Sequence, residues 1–167
     1  MQIVSEGSAP LILDASPMTD GEFAAFCAQY PDYRIESTAD GQIVIMPPNY
    51  TRTGAMESAI LFQLELWTRS RKNGLVFGPS TGFVLPSGAR RSPDAAWMPL
   101  ERVRRVPDGE RVRYWHMAPD FIIELKSPTD RLPQLHAKMR EWIDNGVELG
   151  WLIDPETRTV WVYKEGR

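Results

Sequence analysis

A mixed α/β (α+β) fold, with helices flanking a mixed central β-sheet, is predicted by three observations. Short apolar runs of strand length recur between turn residues, and longer stretches repeat their apolar residues at helical spacing. The chain also closes with two strand-like runs joined by Asp154-Pro155-Glu156-Thr157. Residues 1–17 read as an N-terminal arm and residues 18–167 as a single domain. A chain of 167 residues, 43% hydrophobic and 25% charged, can bury one sizeable core, and neither an internal repeat nor a low-complexity tract argues for a second.

The elements follow in order. Thr19-Asp20-Gly21-Glu22 has the pattern in which a threonine and a glutamate cap each other's backbone, and Phe23, Phe26 and Tyr30 follow at helical spacing. Pro31 ends that helix. Residues 33–37 and 42–46 read as strands turned at Ala39-Asp40-Gly41, and Pro47-Pro48 stops the second. A long helix from about Thr53 aligns Met56, Ile60, Leu64 and Trp67, and stops before Gly74. Strands follow at 75–77, 82–85 and 94–97, with a Pro-Ser-Gly turn after the middle one, and 121–126 is the central strand. Asp130 is a candidate cap for a helix whose Leu135, Met139, Trp142 and Ile143 face inward and which ends at Gly146. Residues 150–153 and 159–163 make the closing hairpin.

Within this frame Ser92-Pro93-Asp94 and the later Glu124-Leu125-Lys126 stand out, because the latter follows the apolar run Phe121-Ile122-Ile123. Side chains two apart on a strand share a face, so Glu124 and Lys126 are expected to emerge together from a buried segment. Buried charges require partners or a metal, and Asp94 on a second strand is the candidate partner. Two carboxylates suit Mg²⁺, a hard cation that takes oxygen ligands, and a lysine can orient water or hold a phosphate as a point charge. That set suits metal-assisted phosphodiester hydrolysis. A structural Asp–Lys ion pair is the other reading of the same residues.

Asp94 with Glu124-Leu125-Lys126 resembles the Pro-Asp…Glu-x-Lys signature of the PD-(D/E)XK nuclease superfamily. Over residues 18–163 the chain is similar, more closely, to the Uma2 family of restriction-endonuclease-like proteins. The segments that carry the resemblance include Asp40-Gly41-Gln42-Ile43, Ser80-Thr81-Gly82-Phe83, Ser92-Pro93-Asp94-Ala95-Ala96-Trp97, Glu124-Leu125-Lys126-Ser127-Pro128 and Trp151-Leu152-Ile153-Asp154-Pro155. The resemblance implies a restriction-endonuclease-like fold over 18–167 and a metal-dependent endonuclease that acts on DNA with Mg²⁺ or Mn²⁺. It implies Asp94, Glu124 and Glu36 as metal ligands and Lys126 as a catalytic cation. Many relatives carry serine or arginine in place of Lys126, and some use a lysine on the following helix, which Lys138 matches; this chain has both. Some relatives place an aspartate near Gln134, where this chain has none.

The remaining composition narrows the function classes. A formal charge of −3 excludes a passive nucleic-acid coat, yet Arg90-Arg91, Arg102, Arg104-Arg105, Arg111 and Arg113 flank Asp94 in sequence, either as phosphate-gripping residues or as a solvated loop. Cys27 is the only cysteine, which excludes an intrachain disulfide or a four-thiolate zinc site, and it is expected near the core beside Phe23 and Phe26. His116 and His136 lack partners at metal-ligand spacing and read as non-catalytic. No signal-peptide pattern or membrane-length apolar run is present, so a cytoplasmic location and no membrane partner are expected. A homodimer is expected, with the hairpin residues Trp161 and Tyr163 or the segment Leu11-Ile12-Leu13 as apolar surface. The alternative function is a catalytically inactive nuclease fold serving as a nucleic-acid-binding or assembly module.

Overall fold

The computed structural model of the chain describes residues 10–166. They form two five-stranded sheets. The first orders β1 (Leu11–Leu13), β3 (Ile43–Met46), β2 (Arg34–Ser37), β6 (Arg90–Arg91) and β5 (Phe83–Val84), with antiparallel neighbours throughout. The second orders β10 (Thr159–Lys164), β9 (Leu149–Asp154), β8 (Phe121–Leu125), β7 (Ala95–Pro99) and β4 (Gly74–Phe77). Its β8–β9 pair is parallel, and α4 (Leu132–Asp144) supplies the crossover that a parallel pair needs. The expected mixed sheet flanked by helices is the second of the two.

Three further helices complete the fold. α1 (Asp20–Gln29) carries the predicted reciprocal cap, with the Thr19 side chain accepting from the Glu22 N–H and the Glu22 carboxylate accepting from the Thr19 N–H. α2 (Thr51–Arg71) packs on β4 and β7, and its Trp67 meets Trp97 edge-to-face with centroids 5.5 Å apart. α3 (Leu100–Arg104) and a short 3₁₀ turn (Asp108–Glu110) follow β7. None of the described helices is long and apolar enough to cross a membrane.

The main core lies between α4 and the second sheet, where Met139 and Trp142 pack on Ala96, Met98, Ile122 and Leu152. Met139 packs directly on Gly150, where a Cβ would come within 2.5 Å of Met139 Cε and displace the end of that flexible side chain. Phe83 and Leu85, from the first sheet's side, enter the same core, so the two sheets are joined by side-chain packing. A smaller cluster under α1 holds Phe23, Ile35, Ile43 and Ile45. Cys27 lies at its margin, half-buried.

Three expectations are corrected. Asp130 does not cap α4: its Oδ2 accepts from the Ser127 N–H at 2.8 Å and closes the preceding turn, and the helix starts after Arg131 without a side-chain cap. Trp161 and Tyr163 are not free surface, because strand parity turns them onto α4, where His136 meets the Trp161 ring and binds the Tyr163 hydroxyl. Leu11 and Leu13 pack into the smaller core as β1 pairs with β3, leaving Ile12 exposed, so part of the expected arm belongs to the first sheet.

Phe83 sits at the junction of the sheets, fully buried and edge-to-face with Phe77. Phe83→Ala should lower the unfolding free energy by about 3–5 kcal/mol in urea titrations. Val112→Ala, at an exposed position, should leave it unchanged.

Candidate active site

Strand geometry places the first charged groups. Arg34 and Glu36 are two apart on β2 and share a face, while Ile35 turns the other way into the smaller core. The β7–β8 register pairs Ala95 with Ile123, which sets Asp94 opposite Glu124 on neighbouring chain segments. Lys138 stands on the face of α4 that covers β8. Glu36, Asp94, Glu124 and Lys138, with Arg34 beside Asp94, therefore meet where the two sheets and α4 come together.

The contacts are specific. Lys138 Nζ donates to Glu36 Oε1 at 3.0 Å and to Glu124 Oε1 at 2.9 Å. Glu36 also accepts from the Ser92 N–H at 3.0 Å and from Arg91 Nη1 at 3.1 Å, and Arg91 Nε donates to Glu141 Oε2 at 2.6 Å. Glu124 Oε1 accepts a further bond from the Trp142 indole N–H at 2.9 Å. Asp94 accepts from Arg34 Nη1 at 2.9 Å and from the Leu125 N–H at 2.7 Å. These groups line an open cavity of about 570 Å³, with Gln134 on its α4 wall.

The electrostatics are uneven around Asp94. Burial raises the Glu36 carboxyl's affinity for a proton, but Lys138, Arg91 and Arg34 together outweigh it and hold the group ionised below its usual range. Burial also acts on Glu124, where Asp94 and Glu36 add repulsion that Lys138 does not cancel, and its pKa is pushed up to about 7. Glu57 on α2 is likewise pushed up to about 7, by burial and then by the facing Asp94. Burial disfavours the charged form of Lys138, but Glu124 and Glu36 outweigh it and raise its pKa above the usual lysine value. As the side chains stand, no three metal-binding residues among those described are gathered tightly enough to share one ion. The uncompensated negative charge lies beside Asp94, between Glu57 and Glu124.

The structure thus brings Glu36, Asp94, Glu124 and Lys138 together and leaves Lys126 out. Lys126 Nζ donates to Glu156 Oε2 at 3.1 Å and to the Ser127 carbonyl at 3.3 Å. It lies one residue past β8, where a turn begins, and its long side chain swings to the acidic β9–β10 turn while Lys138 and Trp142 occupy the space around Glu124. Of the flanking arginines, Arg91 lies in the site and four others are committed elsewhere. Arg102 pairs with Asp120 at 2.6 Å, Arg111 with Asp108 at 3.2 Å, Arg105 with Glu101, and Arg90 with Asp20 at 2.6 Å. His116 binds the other Asp20 oxygen at 2.6 Å.

Sequence reasoning missed Glu57, Arg34 and Trp142. Glu57 had a signal: it shares the packed face of α2 with Thr53 and Thr68, where a lone acid is out of place. Trp142 offered none, since an indole on an apolar stripe reads as core until its N–H is seen to reach Glu124.

Residues 20–167 match the Uma2 family, described as "Putative restriction endonuclease". Among solved structures the chain resembles that of a protein described as a putative nuclease belonging to DUF820 from Anabaena variabilis ATCC 29413. The TM-score is 0.71 at 23% sequence identity, over 80% of this chain and 73% of that one. No functionally curated protein matches the chain. The match takes in the second sheet, the first sheet apart from β1, α4 and the acidic cluster; the chain belongs to the Uma2 family.

Proposed function

We propose that the chain is a metal-dependent endonuclease that hydrolyses phosphodiester bonds in DNA, with Mg²⁺ or Mn²⁺ as cofactor and a homodimer as the working form. The observation that carries this reading is the excess of carboxylate over cation around Asp94 at the floor of an open cavity. Glu57 and Glu124, both raised to about 7 in part by Asp94, mark a place where positive charge would be stabilised. The donors there are carboxylate oxygens, the ligand type that a hard dication takes. Asp94 and Glu124 would hold the ion, with Glu57 within reach, while Glu36 would hold the Lys138 ammonium beside it. When bound, the ion lowers the pKa of a water and offsets charge on the phosphate.

The chain's own groups do the rest. Arg34 and the Leu125 N–H fix the Asp94 carboxylate, and Trp142 fixes that of Glu124, so both are oriented before substrate arrives. Lys138 is a buried, charged ammonium on the cavity wall, placed to orient the attacking water or to hold a phosphate oxygen. That role falls to Lys138 rather than to Lys126, whose ammonium is bound at Glu156.

Plasmid nicking or linearisation with Mg²⁺ or Mn²⁺ tests the proposal. Asp94→Asn should lower the cleavage rate by at least ~10²-fold, the scale for loss of a main electrostatic contributor. DNA binding without cleavage by the wild type would favour the inactive binding or assembly module. Lys138→Met should cost at least ~10²-fold in rate, and Lys126→Met less than ~10-fold; equal losses would return Lys126 to the site.

The raised carboxyls also set a pH dependence. Between their usual 4.5 and about 7, Glu57 and Glu124 keep protons in the folded chain that the unfolded chain releases. Their contribution to stability is therefore present at low pH and is lost as pH rises through about 7. Glu36, shifted down, acts only in the acid range below 4.5. The melting temperature of the metal-free protein should fall from about pH 5 to pH 8. Glu124→Gln should flatten that fall, and an unchanged slope would refute the assignment.

A further inference from the structure

The second sheet is covered unevenly. α4 packs against one face along β8, β9 and β10. On the opposite face α2 covers β4 and β7, and Trp67 meets Trp97 there. The β-ladder register extends that second face through Phe121, Trp151 and Val162 to Val160. Trp151 is 38% exposed, Val160 50% and Val162 54%, although Phe121 and Trp151 stack edge-to-face at 5.2 Å. Ile123 and Leu125 of β8 are buried on this face, so the part that lacks a covering layer among the described residues is β9 and β10.

α2 supplies such a layer. A helix of 21 residues is about 30 Å long. Its packed face carries Thr53, Glu57 and Thr68, and half a turn away Ala55, Ala59, Phe62 and Leu66 form a stripe at spacings of four, three and four residues. That stripe points straight out of the protein, with Phe62 60% and Leu66 47% exposed. A surface helix normally has one apolar face, and α2 has two.

Resting on the homodimer proposed above, we propose that a second copy of the chain is the occupant: the outward stripe of each α2 lies on the exposed β9–β10 face of the other copy. One twofold operation satisfies both surfaces at once, because each protomer offers a helix without a sheet and a sheet without a helix. The two α2 helices then form a shared layer between two sheets, filled by one helix diameter of about 10–12 Å. Phe62, Leu66, Trp151, Val160 and Val162 together with the alanines bring roughly 1,000 Å² of apolar surface over the two copies, the lower bound for a specific interface. Strand parity places this surface on Val160 and Val162, the hairpin residues between the inward Trp161 and Tyr163.

Light scattering on the full chain gives the test. The wild type should have twice the 19.0 kDa mass of one chain at micromolar concentration. Phe62→Glu and Val162→Lys should each give single chains, with circular dichroism confirming that both remain folded; Leu66→Lys replaces Phe62→Glu if that variant does not. Mixing the α2 variant with Val162→Lys should restore the doubled mass when Phe62→Glu is used, because the mutated helix then meets the mutated sheet as an ion pair while the second contact is intact. A single-chain wild type overturns the proposal, and so does a dimer that survives both substitutions. With Phe62→Glu as the helix variant, two single-chain variants whose mixture stays single overturn it as well, and so does a dimer that survives Val162→Lys alone, as a helix-to-helix interface would.

Discussion

The Lys138 ammonium, shared between Glu36 of the first sheet and Glu124 of the second, is the contact on which the site depends. It is reached from a third element, α4, so one buried cation ties together the three parts of the fold that must meet. Removing it would leave two buried carboxylates facing each other, and breaking a buried ion pair in this way typically costs about 3–5 kcal/mol. The core beside it is continuous with the network, because Trp142 both fills the centre of the α4–sheet packing and donates to Glu124. Stability and site geometry therefore cannot be varied independently at this point.

The network is not neutral. Arg34, Arg91 and Lys138 face Glu36, Glu57, Asp94, Glu124 and Glu141, and the shortfall of positive charge is concentrated on the Asp94 side. A purely structural ion cluster gains by pairing its charges, and a cluster that keeps repelling carboxylates at an open cavity carries a cost that binding of a cation would remove. That asymmetry, more than the presence of any one acid, distinguishes this site from the Asp120–Arg102 and Asp20–Arg90 pairs elsewhere in the molecule. There Asp20 meets only cations and Asp120 meets one other acid, Glu148, whereas Asp94, beside its single arginine, faces both Glu57 and Glu124.

Much of the architecture was legible because it rests on local rules. The capped first helix, the strands around Asp40-Gly41, the central strand that carries Glu124 and the closing hairpin follow from spacing, turn residues and caps that act over a few positions. The strand at 82–85 is present as the shorter β5, but the two-residue β6 and the division into two sheets were not legible, since a strand that short has no periodicity and forms through partners distant in sequence. At the site, Asp94 and Glu124 were marked by charge within apolar strands, whereas Glu36 and Lys138 were pointed to by family resemblance and not by geometry. Lys126 shows where alternation fails: it predicts a direction only while the strand lasts, and a lysine at the strand's end has enough reach to choose another partner. The hairpin shows the same sensitivity to parity, since the aromatic residues turned inward and the valines outward.

The most direct test of the central claim is calorimetric titration of Mn²⁺ into the metal-free protein at pH 7, in two buffers of different ionisation enthalpy. With Glu57 and Glu124 both near half-protonated, ion binding beside Asp94 should expel protons, so the measured heat should depend on the buffer, and Asp94→Asn should abolish it. Binding heat that is the same in both buffers and in Asp94→Asn, or no binding at all, would contradict the assignment of this acidic cluster as the metal site.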